Sequence, residues 1–163
     1  MPVCTLAELL PLLRKGSCLL GIDPGSVVIG VAVSDPGLTV ASPLVGLQRK
    51  KRFAEDAAAI VAIIRERNIG GLIVGLPKNM DGTEGPSAQS ARAFARNLTE
   101  KGSLPDPALP IVFWDERMSS AAVERFLIAD DMSRKRRDAV IDKAAAAYIL
   151  QGALDALKNI PPR

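Results

Sequence analysis

The sequence predicts an α/β domain built on a mixed five-stranded sheet, and three observations indicate this fold class. First, three segments rich in β-branched residues follow one another between residues 18 and 47, with short turns between them. Second, segments with helical spacing of apolar residues then alternate with short apolar segments. Third, the remainder of the chain has helical spacing only. Strands joined by tight turns pair antiparallel, and strands that alternate with helices pair in parallel, so helices should cover a mixed sheet.

The first 17 residues predict a short helical extension ahead of the sheet. Thr5 and Glu8 have capping-box spacing, in which each side chain bonds the backbone N–H of the other residue. Pro11 should bend or end this helix, and Gly16 should close it. We therefore expect an N-terminal extension (1–17), a main domain (18–158) and a short tail (159–163).

The antiparallel strands and the alternating elements are bounded by turn residues. A first strand runs from Cys18 to Asp23, "DPGS" makes a turn, "VVIGVAVSD" is the second strand, and a third strand follows "PG" near 39–47. The elements predicted after them are, in order, a helix "FAEDAAAIVAIIRERN", a strand "LIVGLP", a helix at about 86–101, a strand "IVFW", and two helices at about 119–129 and 139–158. The basic stretch "DDMSRKRR" should be the loop between the last two helices.

Composition excludes several kinds of active site. The chain contains no histidine, which removes Ser-His-Asp and Cys-His catalysis and every His-ligated zinc site. Cys4 and Cys18 have no CxxC spacing, so both should pack as small hydrophobic residues. Carboxylates that hold a hard divalent cation remain as a means of hydrolysis. With 48% hydrophobic and 24% charged residues, no apolar run of membrane length and no secretion signal, the chain is expected to be a cytoplasmic protein without a membrane segment.

Basic residues are concentrated in two short segments of a chain whose net charge is +3. These segments are "QRKKR" at 48–52 and "SRKRR" at 133–137, and we expect both to be loops. Such clusters are typical of contacts to a nucleic-acid backbone. Two solvated loops that keep the protein soluble are an equally good interpretation of either cluster alone.

Acidic residues occur where predicted elements begin or end. Asp23 ends the first strand, Asp115 and Glu116 end the last strand, and Asp142 lies in the first turns of the last helix. Side chains alternate along a strand, so only one of Asp115 and Glu116 should face Asp23. Each acid also has an ordinary interpretation: Asp23 before Pro-Gly is a common turn former, and Asp142 could pair with Lys143 or with the positive end of its helix.

The loop "GLPKNMDGTEGPS" precedes the predicted helix at 86–101. Small and turn-forming residues there leave backbone amides that could receive a phosphate. Lys78, Asn79, Thr83 and Glu84 are therefore candidates for contact with substrate. The alternative is an ordinary surface loop with a turn at Asp81-Gly82.

Four stretches of the sequence together resemble a known family. They are "GIDPGSVVIGVAVSD", "IVGLPKNMDGTEGPSA", "FWDERMSSAAVE" and "IDKAAAAYILQGALD", in this order, and they are similar to the signature blocks of the YqgF (RuvX-like) family. Members are described as pre-16S rRNA nucleases and as Holliday junction resolvases. The resemblance covers about Cys18 to Leu157 and implies a ribonuclease H-like fold, nuclease activity that depends on Mg²⁺ or Mn²⁺, and a role in maturation of the 5′ end of pre-16S rRNA.

The resemblance also implies which residues carry the activity. The first acid of the family falls on Asp23, the second on Asp115 or Glu116, and the third on Asp142; Asp23, Glu116 and Asp142 would hold two cations for phosphodiester hydrolysis. The implied substrate-binding residues are Lys78, Asn79, Thr83, Arg117, Arg49, Lys50, Lys51, Arg52, Arg134, Lys135, Arg136 and Arg137. This chain departs from the family at Val27 and Val28, where relatives usually carry a basic pair.

Other functions are compatible with the same residues. The substrate could be structured RNA, such as pre-16S rRNA within ribosomal precursor particles, or branched DNA in recombination and repair. A non-catalytic nucleic-acid-binding protein of the same fold is a second hypothesis, favoured by the missing basic pair. An ATP-binding domain of the sugar-kinase and actin type also begins with a strand and an Asp-x-Gly-Ser turn, but this chain is too short for the paired domains of such proteins. The oligomeric state depends on the substrate. A junction resolvase needs two active sites and would be a homodimer, whereas an RNA-trimming enzyme could be a monomer.

Overall fold

The computed structural model describes residues 3–79, 81–101, 104–115 and 134–161, with side chains from residue 144 in the last range. The strands are β1 (Cys18–Pro24), β2 (Val28–Ser34), β3 (Ala41–Gln48), β4 (Ile69–Leu76) and β5 (Ile111–Asp115). The helices are α1 (Leu6–Leu12), α2 (Phe53–Glu66), α3 (Pro86–Lys101) and a C-terminal helix (Arg134–Lys158).

The five strands form one mixed sheet in the order β3-β2-β1-β4-β5. The β1–β2 and β2–β3 pairs are antiparallel, and the β1–β4 and β4–β5 pairs are parallel. This arrangement confirms the predicted fold class. It follows from the connections, since two tight turns give the antiparallel half and α2 carries the chain back to pair β4 with β1.

The two faces of the sheet are covered by different helices. On one face, side chains such as Leu20 and Ile22 pack with residues of α2 and α3, and we call it the α2–α3 face. On the other face, Leu19 of β1 and Ile73 of β4 pack with the C-terminal helix, and we call it the C-terminal-helix face. Successive residues of a strand therefore face different helices, so the position of a residue along a strand determines which helix it meets.

The C-terminal helix begins earlier than the sequence indicates. Residues 134–137, expected to be a loop, form its first turn, and that expectation is wrong. Arg and Lys are good helix formers, and neither Gly nor Pro occurs between Arg134 and Ala139 to stop the helix. Asp142 consequently lies more than two turns inside the helix rather than in its first turns. The helix predicted near 119–129 lies outside the described residues.

The N-terminal helix has the predicted cap and contributes to the core. The Thr5 hydroxyl accepts a hydrogen bond from the Glu8 N–H, and the Glu8 carboxylate accepts one from the Thr5 N–H, as in a capping box. Leu9 is completely buried against residues of the C-terminal-helix face. Residues 3 and 4 run beside β5, where the Cys4 N–H donates to the Ile111 carbonyl at 2.9 Å.

The two cysteines are free thiols within the packed structure. Cys18 is buried and Cys4 is half-buried, in agreement with their predicted packing role. Burial raises the pKa of both thiols, which favours the protonated form.

Within the described part of the chain, no helix has the length and apolar character needed to cross a membrane.

Candidate active site

Asp23 lies where β1 ends and the turn into β2 begins. It pairs with Gly30 of β2 and is half-buried. The Gly25 N–H donates to the Asp23 carbonyl at 2.9 Å, so the predicted turn is present. Since Leu19 belongs to the C-terminal-helix face, alternation assigns Asp23 to the same face. On β4 the residue level with Asp23 is Gly75, one position beyond the Ile22–Val74 pair, so both neighbours of Asp23 in the sheet lack side chains.

The C-terminal helix packs unusually closely on β1. A Cβ atom added at Gly21 would lie 2.8 Å from Leu150 Cβ and 3.0 Å from the Ala146 carbonyl oxygen. Only glycine allows this approach of helix to strand. Further toward the C-terminus of the helix, Gln151 Nε2 and Lys158 Nζ both donate to the Thr39 carbonyl, at 3.0 and 3.4 Å.

Those contacts fix the direction of the helix relative to β1. Thr39 follows β2 at the end of the sheet where β1 begins, so the helix runs antiparallel to β1. Position 142 is four residues before Ala146 on the same side of the helix, about 6 Å toward its N-terminus. Asp23 is two residues beyond Gly21, about 6.6 Å along β1. Both steps go in the same direction, and position 142 therefore comes level with Asp23 on one face of the sheet.

Asp115 lies on the opposite face of the sheet from Asp23. It pairs in register with Leu76, which packs with Ala88 and Ala91 of α3. Its neighbour Trp114 instead packs against Gly152 of the C-terminal helix, with the indole Nε1 3.0 Å from a Cβ built there. Of the two acids that end the strand, Asp115 is thus on the α2–α3 face, and Glu116 lies outside the described residues. Among the residues whose side chains are described, no group of three Asp, Glu or Cys side chains could hold a metal ion.

A buried carboxylate that the sequence did not single out organises the loop at residues 49–52. Asp56 of α2 is 3% exposed and accepts hydrogen bonds from Arg49 Nε at 3.1 Å and from the Lys50 N–H at 2.9 Å. The same guanidinium donates to the Gly25 carbonyl at 3.0 Å and lies over the Phe94 ring. Arg49 therefore joins the turn after Asp23 to α2 and α3. An acid at a core position of a predicted helix, close to a basic run, was the signal that could have revealed this role.

The loop before α3 is held by its own side chains. The Asn79 N–H donates to the Thr83 carbonyl at 2.8 Å, and Asn79 Nδ2 donates to Thr83 Oγ1 at 3.0 Å. Thr83 Oγ1 also donates to Asp81 Oδ1 at 2.6 Å, and Gly82 has a φ of 88° in the predicted turn. Asn79 and Thr83 thus stabilise the turn, and their contact with substrate stays a prediction, as does that of the half-buried Lys78.

Glu84 links this loop to α3. Its carboxylate accepts two hydrogen bonds from the Arg92 guanidinium, at 2.6 and 2.9 Å, and the guanidinium lies 4.8 Å from the centre of the Phe113 ring. The hydrogen bonds from Arg92 lower the pKa of Glu84. Glu84 therefore serves as an anchor of the loop in this structure.

The remaining predicted basic residues fall into two groups. Lys51 and Arg52 are exposed in the loop before α2. Four cationic residues, Arg134, Lys135, Arg136 and Arg137, open the C-terminal helix, whose first turn contains no acid. Positive side chains at a helix N-terminus are opposed by the helix dipole, so this arrangement is unfavourable unless an anion is bound nearby. Arg117 lies outside the described residues.

The sheet order, the acid at the end of β1 and the helix across one face define a ribonuclease H-like domain of the kind found in the RuvC nucleases. The structure of T. thermophilus RuvC in complex with Holliday junction substrate superimposes with a TM-score of 0.53 at 16% identity, covering 88% of this chain and 96% of RuvC. At this low identity the likeness shows the fold alone.

The family profile of RuvX, described as Holliday junction resolvase, matches residues 17–156, and the chain belongs to this family. A protein of Rhodospirillum centenum is 53% identical over 159 residues, covering 98% of this chain and 84% of that protein. One from Roseobacter denitrificans is 55% identical over 154 residues, with 94% and 92% covered. Both relatives carry the name "Putative pre-16S rRNA nuclease". The resemblance seen in the four sequence blocks is thereby confirmed.

Proposed function

We propose that this protein is a metal-dependent nuclease that hydrolyses phosphodiester bonds during maturation of the 5′ end of pre-16S rRNA. The observation that supports the proposal is the close contact of Gly21 with Ala146 and Leu150, from which ideal helix and strand spacing brings position 142 level with Asp23. The names of the two relatives, which are more than half identical to this chain, support the substrate. We assign the activity to residues 18–158, with 1–17 as an extension and 159–163 as a tail.

We assign the cation site to Asp23, Glu116 and Asp142. The donor set fits a hard cation, because all three residues offer carboxylate oxygens and the chain has no histidine. The space also fits, because Gly30 and Gly75 place no side chain beside Asp23. Glu116 is chosen over Asp115 because Asp115 is on the α2–α3 face, and strand alternation continued for one more residue would put an acid on the face of Asp23. When bound, Mg²⁺ or Mn²⁺ would activate water and stabilise the leaving oxygen.

The chain itself contributes position and charge to this reaction. The Gly21 contact holds the C-terminal helix against β1, which would limit movement of backbone positions 23 and 142 relative to each other. The hydrogen bond from Arg49 to the Gly25 carbonyl holds the turn that follows Asp23. Such fixed geometry lowers the cost of reaching the transition state.

Basic residues near both ends of the site support an anionic, extended substrate. Lys51 and Arg52 are exposed before α2, and residues 134–137 start the C-terminal helix. Contacts from these residues to phosphates would give an affinity that depends on salt and reads little sequence. Their placement against the helix dipole has a physical reason if a phosphate binds there.

A four-way DNA junction is the second candidate substrate. The description of the family profile as Holliday junction resolvase favours it. Contacts to phosphate and metal are possible with either nucleic acid, and a resolvase would act as a dimer with two sites.

We propose the cytoplasm as the compartment and ribosomal precursor particles as the partner for the rRNA reaction.

The experiment that tests the function compares wild type with Asp23→Asn on a pre-16S rRNA 5′ fragment and on a four-way DNA junction, each with Mg²⁺ and with Mn²⁺. Wild type should cleave the RNA, and the variant should lose cleavage while retaining binding measured by fluorescence anisotropy. Faster cleavage of the junction would assign the DNA function instead. Unchanged cleavage by the variant would contradict the assignment of Asp23, and binding without cleavage by wild type would make the protein a binding module.

A further inference from the structure

A cleft of about 670 Å³ opens beside the end of β1 on the side of α3. The β1–β2 turn forms one wall through Gly25 and Ser26, and the loop after β3 contributes Lys50. Ser87, Ser90 and Phe94 of α3 form the other wall, and Asp23 lies at the edge. We call this space the α3 cleft. Its volume is in the range of sites that hold a small molecule or one unit of a polymer.

We propose that the α3 cleft binds the nucleotide next to the scissile phosphate of a nucleic-acid strand. This inference rests on the proposed function and adds to it a binding subsite outside the cation site. A strand whose scissile phosphate lies at Asp23 must continue away from it, and Asp23 is among the residues that line the cleft. The nucleotide that follows would enter between the turn and α3.

The wall that carries Lys50 is held in place by buried contacts. Asp56 binds Lys50 through the backbone N–H, at 2.9 Å, which leaves the ammonium group of this exposed side chain outside that contact. The Arg49 guanidinium is fixed between Asp56, the Gly25 carbonyl and the Phe94 ring. The turn, the basic loop and α3 are therefore connected across the base of the cleft, which makes it a pre-organised site.

The groups that line the α3 cleft suit a sugar-phosphate unit. Lys50 supplies a cation, and the exposed Ser87 and Ser90 supply hydroxyl groups that can donate to phosphate oxygens or to a ribose. Within the described lining, the carboxylate of Asp23 is at the edge and no other acid is present. Of the two basic residues that line the cleft, we assign Lys50 to substrate and Arg49 to the protein's own structure.

A matched pair of charge substitutions tests the subsite. Ser90→Asp places a negative charge in the cleft, and Gln89→Asp places the same charge on the adjacent exposed position of α3, which does not line the cleft. Steady-state cleavage of the RNA fragment should show KM raised about tenfold by Ser90→Asp, with kcat within about twofold of wild type. Gln89→Asp should leave both constants within about twofold of wild type.

A binding measurement separates failure of the subsite from failure of the nuclease assignment. Each substitution is combined with Asp23→Asn, and the affinity for a short fluorescein-labelled RNA strand is measured by anisotropy without turnover. Weaker binding by the Ser90→Asp combination than by the Gln89→Asp combination supports the subsite even if wild type cleaves nothing. Equal affinities in the two combinations, together with equal KM values in the cleaving proteins, would overturn it. Urea unfolding of both variants confirms that the comparison is between folded proteins.

Discussion

Gly21 determines how closely the C-terminal helix approaches the strand that carries Asp23. With a built Cβ only 2.8 Å from Leu150 Cβ, no other residue fits without moving the helix. The same helix carries position 142, which ideal spacing brings level with Asp23. A residue without a side chain therefore has a direct influence on the distance between two acids of the proposed site.

We predict that Gly21→Ala lowers the free energy of unfolding by about 1–3 kcal/mol, because the added methyl group overpacks the contact with Leu150. Urea unfolding followed by circular dichroism measures the change. Gly85→Ala is the control, since its added Cβ meets no atom closer than 3.4 Å. Cleavage by Gly21→Ala should also fall under conditions where the variant is fully folded. A variant as stable and as active as wild type would show that the close contact is dispensable.

Asp35 makes stability depend on pH in the acid range. Its carboxylate accepts hydrogen bonds from the N–H groups of Val40 and Thr39 and from the Thr39 hydroxyl. These bonds, of which that from the Val40 N–H contributes most to the shift, lower the pKa of Asp35 to about 2. A carboxyl group with a lowered pKa in the folded state stabilises the protein above its unfolded pKa of 3.8, and this contribution is lost as the pH falls toward about 2.

We therefore predict that Asp35→Asn is less stable than wild type at pH 6 and that the difference shrinks as the pH falls through this range. Urea unfolding of both proteins at several pH values is the measurement. The carboxylate is exposed, so the effect should be small but should follow this direction. A difference that stays constant from pH 6 to about pH 2 would contradict the role of the Asp35 hydrogen bonds.

The basic residues in the first turn of the C-terminal helix are unfavourable for helix stability. Its basic opening residues, 134–137, face the positive end of the helix dipole. Helix α2 has the opposite, favourable arrangement, because Glu55 and Asp56 lie in its first turn and Arg65 lies in its last turn. This contrast is a reason to propose that residues 134–137 bind substrate.

We predict that Arg136→Glu weakens binding to the RNA fragment and leaves stability unchanged or raises it by about 0.3–1 kcal/mol. The slope of log affinity against log salt should become less steep by about 1, because a cation that contacts phosphate is lost. The control is Arg65→Glu in the last turn of α2, which should lower stability and leave binding unchanged. Anisotropy titrations at several salt concentrations, with urea unfolding, measure both quantities. Equal affinity of Arg136→Glu and wild type would remove residues 134–137 from the substrate interface.

For the molecule as a whole, local sequence patterns predicted the strands and their order. Roles that depend on residues far apart in sequence could be seen only in the structure. Turn residues and apolar spacing located the strands, because both signals come from neighbours in sequence. The start of the C-terminal helix was missed because a run of Arg and Lys is compatible with a helix and with a loop. The role of Arg49 depends on Asp56 and Gly25, which only the folded chain brings together.

In the candidate site, too, some features could be predicted from the sequence and others required the structure. The sequence singled out Asp23 and Asp115 because they interrupt the chain at the ends of apolar strands, and both do lie at strand ends. The choice between Asp115 and Glu116 required the register of β5 with β4, which places Asp115 beside Leu76 on the α2–α3 face. The α3 cleft could not be predicted, since its lining comes from four separate parts of the chain.

The central claim is that the acids on the C-terminal-helix face form the catalytic site. The most direct test compares Glu116→Gln with Asp115→Asn, two adjacent substitutions of the same kind, in Mn²⁺-dependent cleavage of the pre-16S rRNA fragment. We predict that Glu116→Gln loses at least about 100-fold in kcat, whereas Asp115→Asn stays within about threefold of wild type, because Asp115 lies on the other face of the sheet. Loss of cleavage by Asp115→Asn with full activity in Glu116→Gln would contradict the account.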